Sequence, residues 1–331
     1  MKSVILLAVF TLLFSCGKSG SEKSSEKIKK SQVNKSVLPK KLIKVGKLKA
    51  INKKLQDRKK TYKNINPQFV FGDLGKGRGD AYERAVLVLK YNMDKSIPLL
   101  IKHINDPNPM IRAQSLRMLG DFSSKRKIDV NILLKQYEKE EMSKVKSMII
   151  DTINKIGVYS EAVEKLAVRE LKAKSPLIRW QAAKLLGKLG KKCIKSKPAL
   201  KKLVSDKENW IRLTAAFSIW QIDSKDIEGF KSISKDINDK DRNFRKKFIK
   251  ILGKITNHND VIVPILIKAL KDKALPLRRI AAISLSKLGS GAKAALNSLR
   301  EAEKSKDYSL RVWAKKAIQS IEGKTDVKKE K

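Results

Sequence analysis

The chain has 331 residues, of which 41% are hydrophobic, so it is long and apolar enough to bury a sizeable core. Its 76 Lys and Arg residues outnumber its 33 Asp and Glu residues and give a formal net charge of +43, which favours an anionic partner. Two cysteines are too few for a disulfide framework.

Residues 1–15 have the features of a secretion signal. A basic start at Lys2 is followed by an apolar run over residues 4–14, which is too short for a permanent membrane span. The segment Leu13–Cys16 resembles the lipobox of bacterial lipoproteins, although Phe14 stands where a small residue is usual. The resemblance implies that Cys16 carries lipid, and the alternative is an ordinary signal peptide with a chance cysteine. Both alternatives predict export from the cytoplasm, which argues against nucleic acid as the partner.

Residues 16–79 are predicted to form a basic tether. The stretch after Cys16 is rich in Ser and Lys and low in apolar residues, so it cannot bury enough surface to fold. Within the tether, residues 38–60 place Leu and Val at helical spacing among many lysines. That pattern predicts an amphipathic helix, which either lies on a membrane surface or is solvated.

The remainder of the chain repeats with a period of 33 residues, except for one step of 34. The repeat is marked by the basic residues Arg112, Lys146, Arg179, Arg212, Arg245, Arg278 and Arg311. The positions one residue before and seven residues after each of these are always apolar, and they share one face of a helix. Each such helix follows an earlier apolar helical stretch and a short polar turn such as Asp106–Pro109. The second helix is predicted to end at Gly120, Gly157, Gly190 or Gly289 in its repeat.

The segment 176–190, Pro-Leu-Ile-Arg-Trp-Gln-Ala-Ala-Lys-Leu-Leu-Gly-Lys-Leu-Gly, closely resembles HEAT-like repeats of the short kind found in phycobilin lyases, as does 276–289. The resemblance covers about residues 96–323. It implies an all-α solenoid, a right-handed superhelix of antiparallel helix pairs. We therefore predict a solenoid over residues 80–323, with a capping helix at 80–92, seven repeats at 96–323 and a charged tail at 324–331. The resemblance also implies that the recurring Asp and Arg residues form contacts within turns and between repeats.

Enzymes are known with this architecture, and the chain lacks their signatures. HEAT-like deoxyhypusine hydroxylases bind iron through His-Glu steps, whereas His103 and His258 are followed by Ile and Asn. Nothing points to the tetrapyrrole of a phycobilin lyase, and export argues against a HEAT-like DNA glycosylase. Lysines around Cys193 should favour its thiolate, but no histidine is placed to act as a base, so we predict a thiol without a catalytic role. We predict no catalytic residue, no metal and no cofactor.

The candidate site is a basic stripe. Positions two, five and nine residues after the repeat marker lie opposite the apolar columns, and the second helices of such solenoids usually line the concave side. Stacking should align these positions along one face. The stripe consists of Arg117, Lys155, Lys184, Lys188, Lys247, Lys250, Lys254, Lys287, Trp313 and Lys316.

The sequence thus predicts a non-catalytic interaction or scaffolding lipoprotein of the bacterial cell envelope. It would be anchored through Cys16 and would bind an acidic protein whose identity the sequence does not give. Gly17 after the anchor resembles outer-membrane sorting in a Gram-negative cell. One alternative is a protein that binds a polyanion, such as anionic lipid, lipopolysaccharide or a wall polymer, through the stripe. A second alternative is an enzyme of unknown type.

Overall fold

The computed structural model describes residue 57 and residues 60–323. The predicted signal, the lipid-bearing Cys16, most of the tether and the tail 324–331 lie outside the described residues. All regular elements in the described part are helices, and none of these helices combines the length and apolar character that a membrane span requires.

Seven helix pairs follow one another along the chain. The first helices of the pairs are α3 (Met93–His103), α5 (Val130–Lys139), α7 (Glu161–Glu170), α9 (Lys197–Lys202), α11 (Glu228–Ser232), α13 (Asn259–Leu270) and α15 (Leu296–Glu303). The second helices are α4 (Pro109–Phe122), α6 (Ser143–Ile156), α8 (Pro176–Leu189), α10 (Asn209–Ile222), α12 (Arg242–Leu252), α14 (Leu275–Leu288) and α16 (Tyr308–Glu322). The predicted all-α solenoid of helix pairs is confirmed.

Polar residues in the turns start the second helices. The side chains of Asn108, Asp241 and Asp307 each accept a hydrogen bond from a backbone N–H in the first turn of the helix that follows. At the other end, Gly157 adopts a φ of 71° and provides the predicted left-handed cap. Gly120 differs from the prediction, because α4 continues through it to Phe122.

The second helices pack side by side along the stack, whereas the first helices of neighbouring repeats make few contacts with one another. The close approach is permitted by small residues, since Ala182, Ala215, Ala281 and Ala314 are fully buried. The second helices therefore form the more closely packed side of the stack.

The stack starts earlier than predicted. The predicted capping helix is observed as α2 (Asp80–Tyr91), and it packs on α1 (Phe71–Leu74) and on a 3₁₀ turn at Pro67–Val70. Phe71 and Leu74 are buried, and the Phe71 ring stacks on His103 with a centroid distance of 3.8 Å. The tether predicted to extend to residue 79 is therefore shorter, because these apolar side chains are part of the core.

The buried core falls into two groups of side chains that meet in α10. Ala215 and Ile219 belong to the first group, whereas Leu213 and Ala216 belong to the second. The first helix of the following repeat, α11, has only five residues and is continued by a 3₁₀ turn at Ser234–Asn238. The regular stacking of second helices is consequently looser between α10 and α12 than elsewhere.

A substitution at Gly187 can test the close packing of α8 on α10. A Cβ atom at Gly187 would overlap Ser218 and lie 2.8 Å from Gln221 Oε1. We expect Gly187→Ala to destabilise the protein by about 1–3 kcal/mol, because overpacking outweighs the better helix propensity of Ala. Urea unfolding followed by circular dichroism measures the change. Gly72→Ala is the control, since nothing lies within 4 Å of a Cβ there, and equal stability of the two variants would contradict the expectation.

Candidate functional site

Three lysines of the predicted basic stripe link neighbouring second helices. Lys155 Nζ on α6 lies 2.9 Å from Asp121 Oδ1 on α4, and Lys184 Nζ on α8 lies 3.0 Å from Asp151 Oδ1 on α6. The Lys188 ammonium donates to the backbone carbonyl of Asn154. This part of the stripe therefore contributes to the contacts between repeats, and its positive charge is partly neutralised.

The stripe residues toward the two ends of the stack make only local contacts. Arg117 lies 5.7 Å from the ring centroid of Tyr82 on α2, while the Lys316 ammonium lies 4.8 Å from the ring of Trp313 on its own helix. Lys287 on α14 is exposed. The structure does not join these four stripe residues into one site.

The other stripe residues come together in a cleft between α8, α10 and α12. Lys184, Lys247, Lys250 and Lys254 line a volume of about 540 Å³ at the place where the stacking is looser. The remaining side chains of this cleft are Trp180, Thr214, Phe217, Asn243, Lys246 and Ile251. A volume of this size lies in the range of ordinary ligand sites. We call it the Trp180 cleft.

The indole of Trp180 is held in a fixed position. Its Nε1–H donates to Thr214 Oγ1 at 3.0 Å, and the Thr214 hydroxyl donates to the Trp210 carbonyl at 2.7 Å. Trp210 also meets the Trp180 ring edge-on, with a centroid distance of 5.7 Å. The aromatic wall of the cleft is thus ordered before any partner arrives.

Two ammonium groups approach that indole. Lys184 Nζ lies 5.3 Å and Lys247 Nζ lies 5.4 Å from the ring centroid of Trp180, which is within the reach of cation–π attraction. Desolvation and the neighbouring charge of Lys184 lower the pKa of Lys247, although its side chain keeps contact with solvent. A carboxylate entering the cleft would relieve the repulsion between these two cations.

Lys246, Lys247 and Lys250 on α12, and Lys254 in the turn after it, form no ion pair within the described residues. No described carboxylate oxygen lies within 4.0 Å of their ammonium groups. Elsewhere in the stack several acidic side chains form ion pairs between repeats, such as those of Asp121, Asp206 and Asp272. The cleft therefore concentrates positive charge beside apolar surface, an arrangement that suits a ligand carrying both carboxylates and an apolar group.

Sequence reasoning missed the aromatic part of the cleft. Trp180 lies one residue after its repeat marker, outside the columns that define the stripe. Phe217 stands five residues after its marker, a position that holds a cation in four other repeats. An aromatic residue in place of that cation was the sequence signal that could have indicated the cleft. Its ring stacks on Trp220 with a centroid distance of 5.6 Å.

The recurring acids and arginines form a ladder between repeats, as the resemblance implied. Arg179 donates two hydrogen bonds to Asp206, at 2.8 and 3.0 Å, and Arg245 pairs with Asp272 in the same manner. Asp206 and Asp272 thus each pair with the arginine of the preceding repeat. Arg212 differs, since it pairs with Asp236 in the irregular 3₁₀ turn after α11.

The two remaining candidates for chemistry are packing residues. His103 lies 2.9 Å from Asp106 and is half-buried against Phe71. The predicted thiolate at Cys193 is wrong, because burial, with a smaller effect of Glu164, raises the pKa of that thiol to about 12. The residues that the structure describes contain no cluster of His, Cys, Asp and Glu that could hold a metal ion.

Residues 130–220 and 227–319, more than half of the chain, match the family model described as HEAT repeats. The comparison with curated proteins finds no match.

Several solved structures are similar to this chain. The X-ray structure of YibA from Escherichia coli is 18% identical with a TM-score of 0.55, and the alignment covers 86% of this chain and 99% of that one. Kap95p, solved with RanGDP, is 14% identical with a TM-score of 0.50, over 79% of this chain and 41% of that one. The CpcE–CpcF complex of phycocyanin lyase from a Nostoc species is 17% identical with a TM-score of 0.44, over 68% of this chain and 94% of that one. At these identities the likeness concerns the fold alone.

Proposed function

The chain belongs to the HEAT-repeat family, and on that premise we propose that it is a non-catalytic scaffolding protein that binds an acidic protein through the Trp180 cleft. HEAT repeats are suited to protein–protein interaction, because stacked helix pairs present a long, continuous surface. The observation that carries the proposal is the group of four lysines on α12 and in the turn after it, without carboxylate partners in the described structure, beside an ordered aromatic wall.

The proposed place of action is the bacterial cell envelope. The support is the pattern of residues 1–16, in which a short apolar run precedes Cys16. Gly17 after that cysteine favours the outer membrane if the cell is Gram-negative. The lipid would hold the solenoid at the membrane surface and leave the Trp180 cleft free for a partner.

A polyanion is the second candidate partner. It is favoured by the net charge of +43 and by exposed lysines on the first helices as well as the second, such as Lys135, Lys202 and Lys268. A purely electrostatic partner would be recruited by the whole surface, whereas an acidic protein should depend on the cleft. Added salt should weaken the binding of a polyanion more than that of an acidic protein, because attraction between exposed charges is screened within about 10 Å at 0.1 M ionic strength.

Charge reversal in the cleft tests the proposed function. We expect the triple variant Lys247→Glu, Lys250→Glu and Lys254→Glu to lose about tenfold or more in retention of envelope proteins on the immobilised full chain. The physical reason is that three unpaired cations facing the partner become anions. Quantitative mass spectrometry of the retained proteins, at several salt concentrations, measures the effect.

The matched control reverses three exposed lysines of the first helices: Lys135→Glu, Lys202→Glu and Lys268→Glu. Both variants should show the helical circular dichroism and melting of the wild type. Equal losses in the two variants would point to a polyanion. No loss in either variant would overturn the proposed function at this site.

A further inference from the structure

We propose that the ligand of the Trp180 cleft is an extended acidic peptide segment that inserts one aromatic side chain between Trp180 and Phe217. This inference rests on the proposed function and names the chemistry of the partner. Trp180 on α8 and Phe217 on α10 line the same cleft together with Ile251 on α12. A ligand that offered only charge would leave this apolar surface in water.

The apolar lining favours an aromatic group. Trp180 already meets Trp210 edge-on, and Phe217 stacks on Trp220, so each wall is backed by a second ring. Such walls lose little conformational entropy when an aromatic side chain enters. A volume of about 540 Å³ leaves room for one aromatic ring and the side chains beside it.

The cations around the lining favour carboxylates next to that ring. Lys247 and Lys250 lie three residues apart on α12, so their side chains share one side of the helix, and Lys254 follows in the turn just after the helix ends. Alternate side chains of an extended peptide lie about 6.6 Å apart on one side. A peptide laid along α12 can therefore bring two carboxylates to these ammonium groups while its aromatic side chain enters the cleft.

Most lysines of the cleft can pair with such a ligand without losing an ion pair. The ammonium groups of Lys184 and Lys247 both lie near the Trp180 ring, while Lys254 Nζ lies 5.9 Å from the centroid of the Phe217 ring. Apart from Lys184, which pairs with Asp151, these cations contact aromatic rings and no described carboxylate. An acidic peptide offers them a stronger partner without breaking an existing ion pair on α12.

Calorimetric titration of the full chain with synthetic peptides tests the inference. The probe is a peptide about nine residues long with alternating Asp and Glu around a central Phe, and its control carries Ser in place of Phe. At about 0.3 M NaCl, we expect the Phe peptide to bind wild-type protein about tenfold tighter than the Ser peptide. Trp180→Leu should abolish this preference, and Lys250→Glu should weaken both peptides.

Each other outcome has a definite meaning. Equal affinity of the two peptides would overturn the inference and indicate a polyanion surface. Displacement of the Phe peptide and the Ser peptide by the same concentration of heparin would have the same meaning. Phe217→Leu is the second variant if Trp180→Leu melts early. If neither peptide binds while the lysine triple variant still loses envelope proteins, the peptide inference fails and the proposed function stands. If neither peptide binds and the lysine triple variant still retains the envelope proteins, both the peptide inference and the proposed function fail.

Discussion

Replacing Arg245 by Ala should destabilise the protein by about 3–5 kcal/mol, the largest loss we expect from a single substitution. The guanidinium donates to both carboxylate oxygens of Asp272, at 2.7 and 3.0 Å, and to the backbone carbonyl of Asp239 at 2.7 Å. The Arg245 side chain is 3% exposed and that of Asp272 is 5% exposed. Removal of the arginine would leave a buried carboxylate without its counterion and a turn carbonyl without its donor.

The loss should depend on pH in a defined direction. Burial by itself would raise the pKa of Asp272, but the hydrogen bonds from Arg245 and from the Ala274 backbone lower it overall. A carboxyl group whose folded-state pKa is lowered stabilises the protein above its unfolded-state pKa, near 3.9, and that contribution is lost as the pH falls through the folded-state value. The difference between wild type and Arg245→Ala should therefore be largest at neutral pH and shrink in acid.

Urea unfolding at several pH values measures this difference. Lys231→Ala is the control, because Lys231 pairs with Glu228 on the surface, where both side chains are at least half exposed, and it should change stability little. Arg245→Lys should fall between wild type and Arg245→Ala, since a lysine keeps the charge but cannot bond both oxygens and the carbonyl in the same geometry. A loss for Arg245→Ala as small as that for Lys231→Ala would contradict the role of the ladder.

The second large effect concerns localisation. We expect Cys16→Ser to abolish metabolic labelling by palmitate and to release most of the protein from the membrane pellet. Acyl chains on one residue supply most of the membrane affinity, about 0.8 kcal/mol for each buried CH₂ group. Basic residues within 40–60 could retain a fraction of the protein through anionic headgroups, at about 1 kcal/mol for each Lys or Arg near the surface.

Salt distinguishes the two kinds of membrane association. Wild-type protein should need detergent for release, whereas the residual bound Cys16→Ser protein should be released by about 1 M salt. Cys193→Ser is the control, because that cysteine is buried in the solenoid. Unchanged labelling and pelleting of Cys16→Ser would show that Cys16 does not carry the lipid, and the proposed anchor at this residue would then be abandoned.

The ladder shows how far the resemblance to HEAT-like repeats can lead. That resemblance implied that the recurring acids and arginines form contacts within turns and between repeats, and these contacts are present. The spacing could not show that Asp236 replaces Asp239 as the partner of Arg212. That exchange depends on the 3₁₀ turn after the short helix α11, where the regular register of the repeat is lost.

The error at Cys193 has a similar origin. Neighbouring lysines in the sequence favoured a thiolate, but the side chain lies in the core with no exposed surface. Desolvation then outweighs the charges of lysines that are close along the chain but solvated. Sequence proximity to a charge is therefore a poor guide to a thiol that the fold buries.

The sequence by itself determined the repeat, the pairing of helices and the face of each second helix that is polar. These follow from the 33-residue period and the helical spacing of apolar residues, which is a local property of the chain. Only the tertiary structure decided which stripe lysines pair with acids of the preceding repeat and which lie beside Trp180 and Phe217. The reason is that the cleft forms where α8, α10 and α12 meet at a looser junction, so it depends on distances between helices that no periodicity within one helix contains.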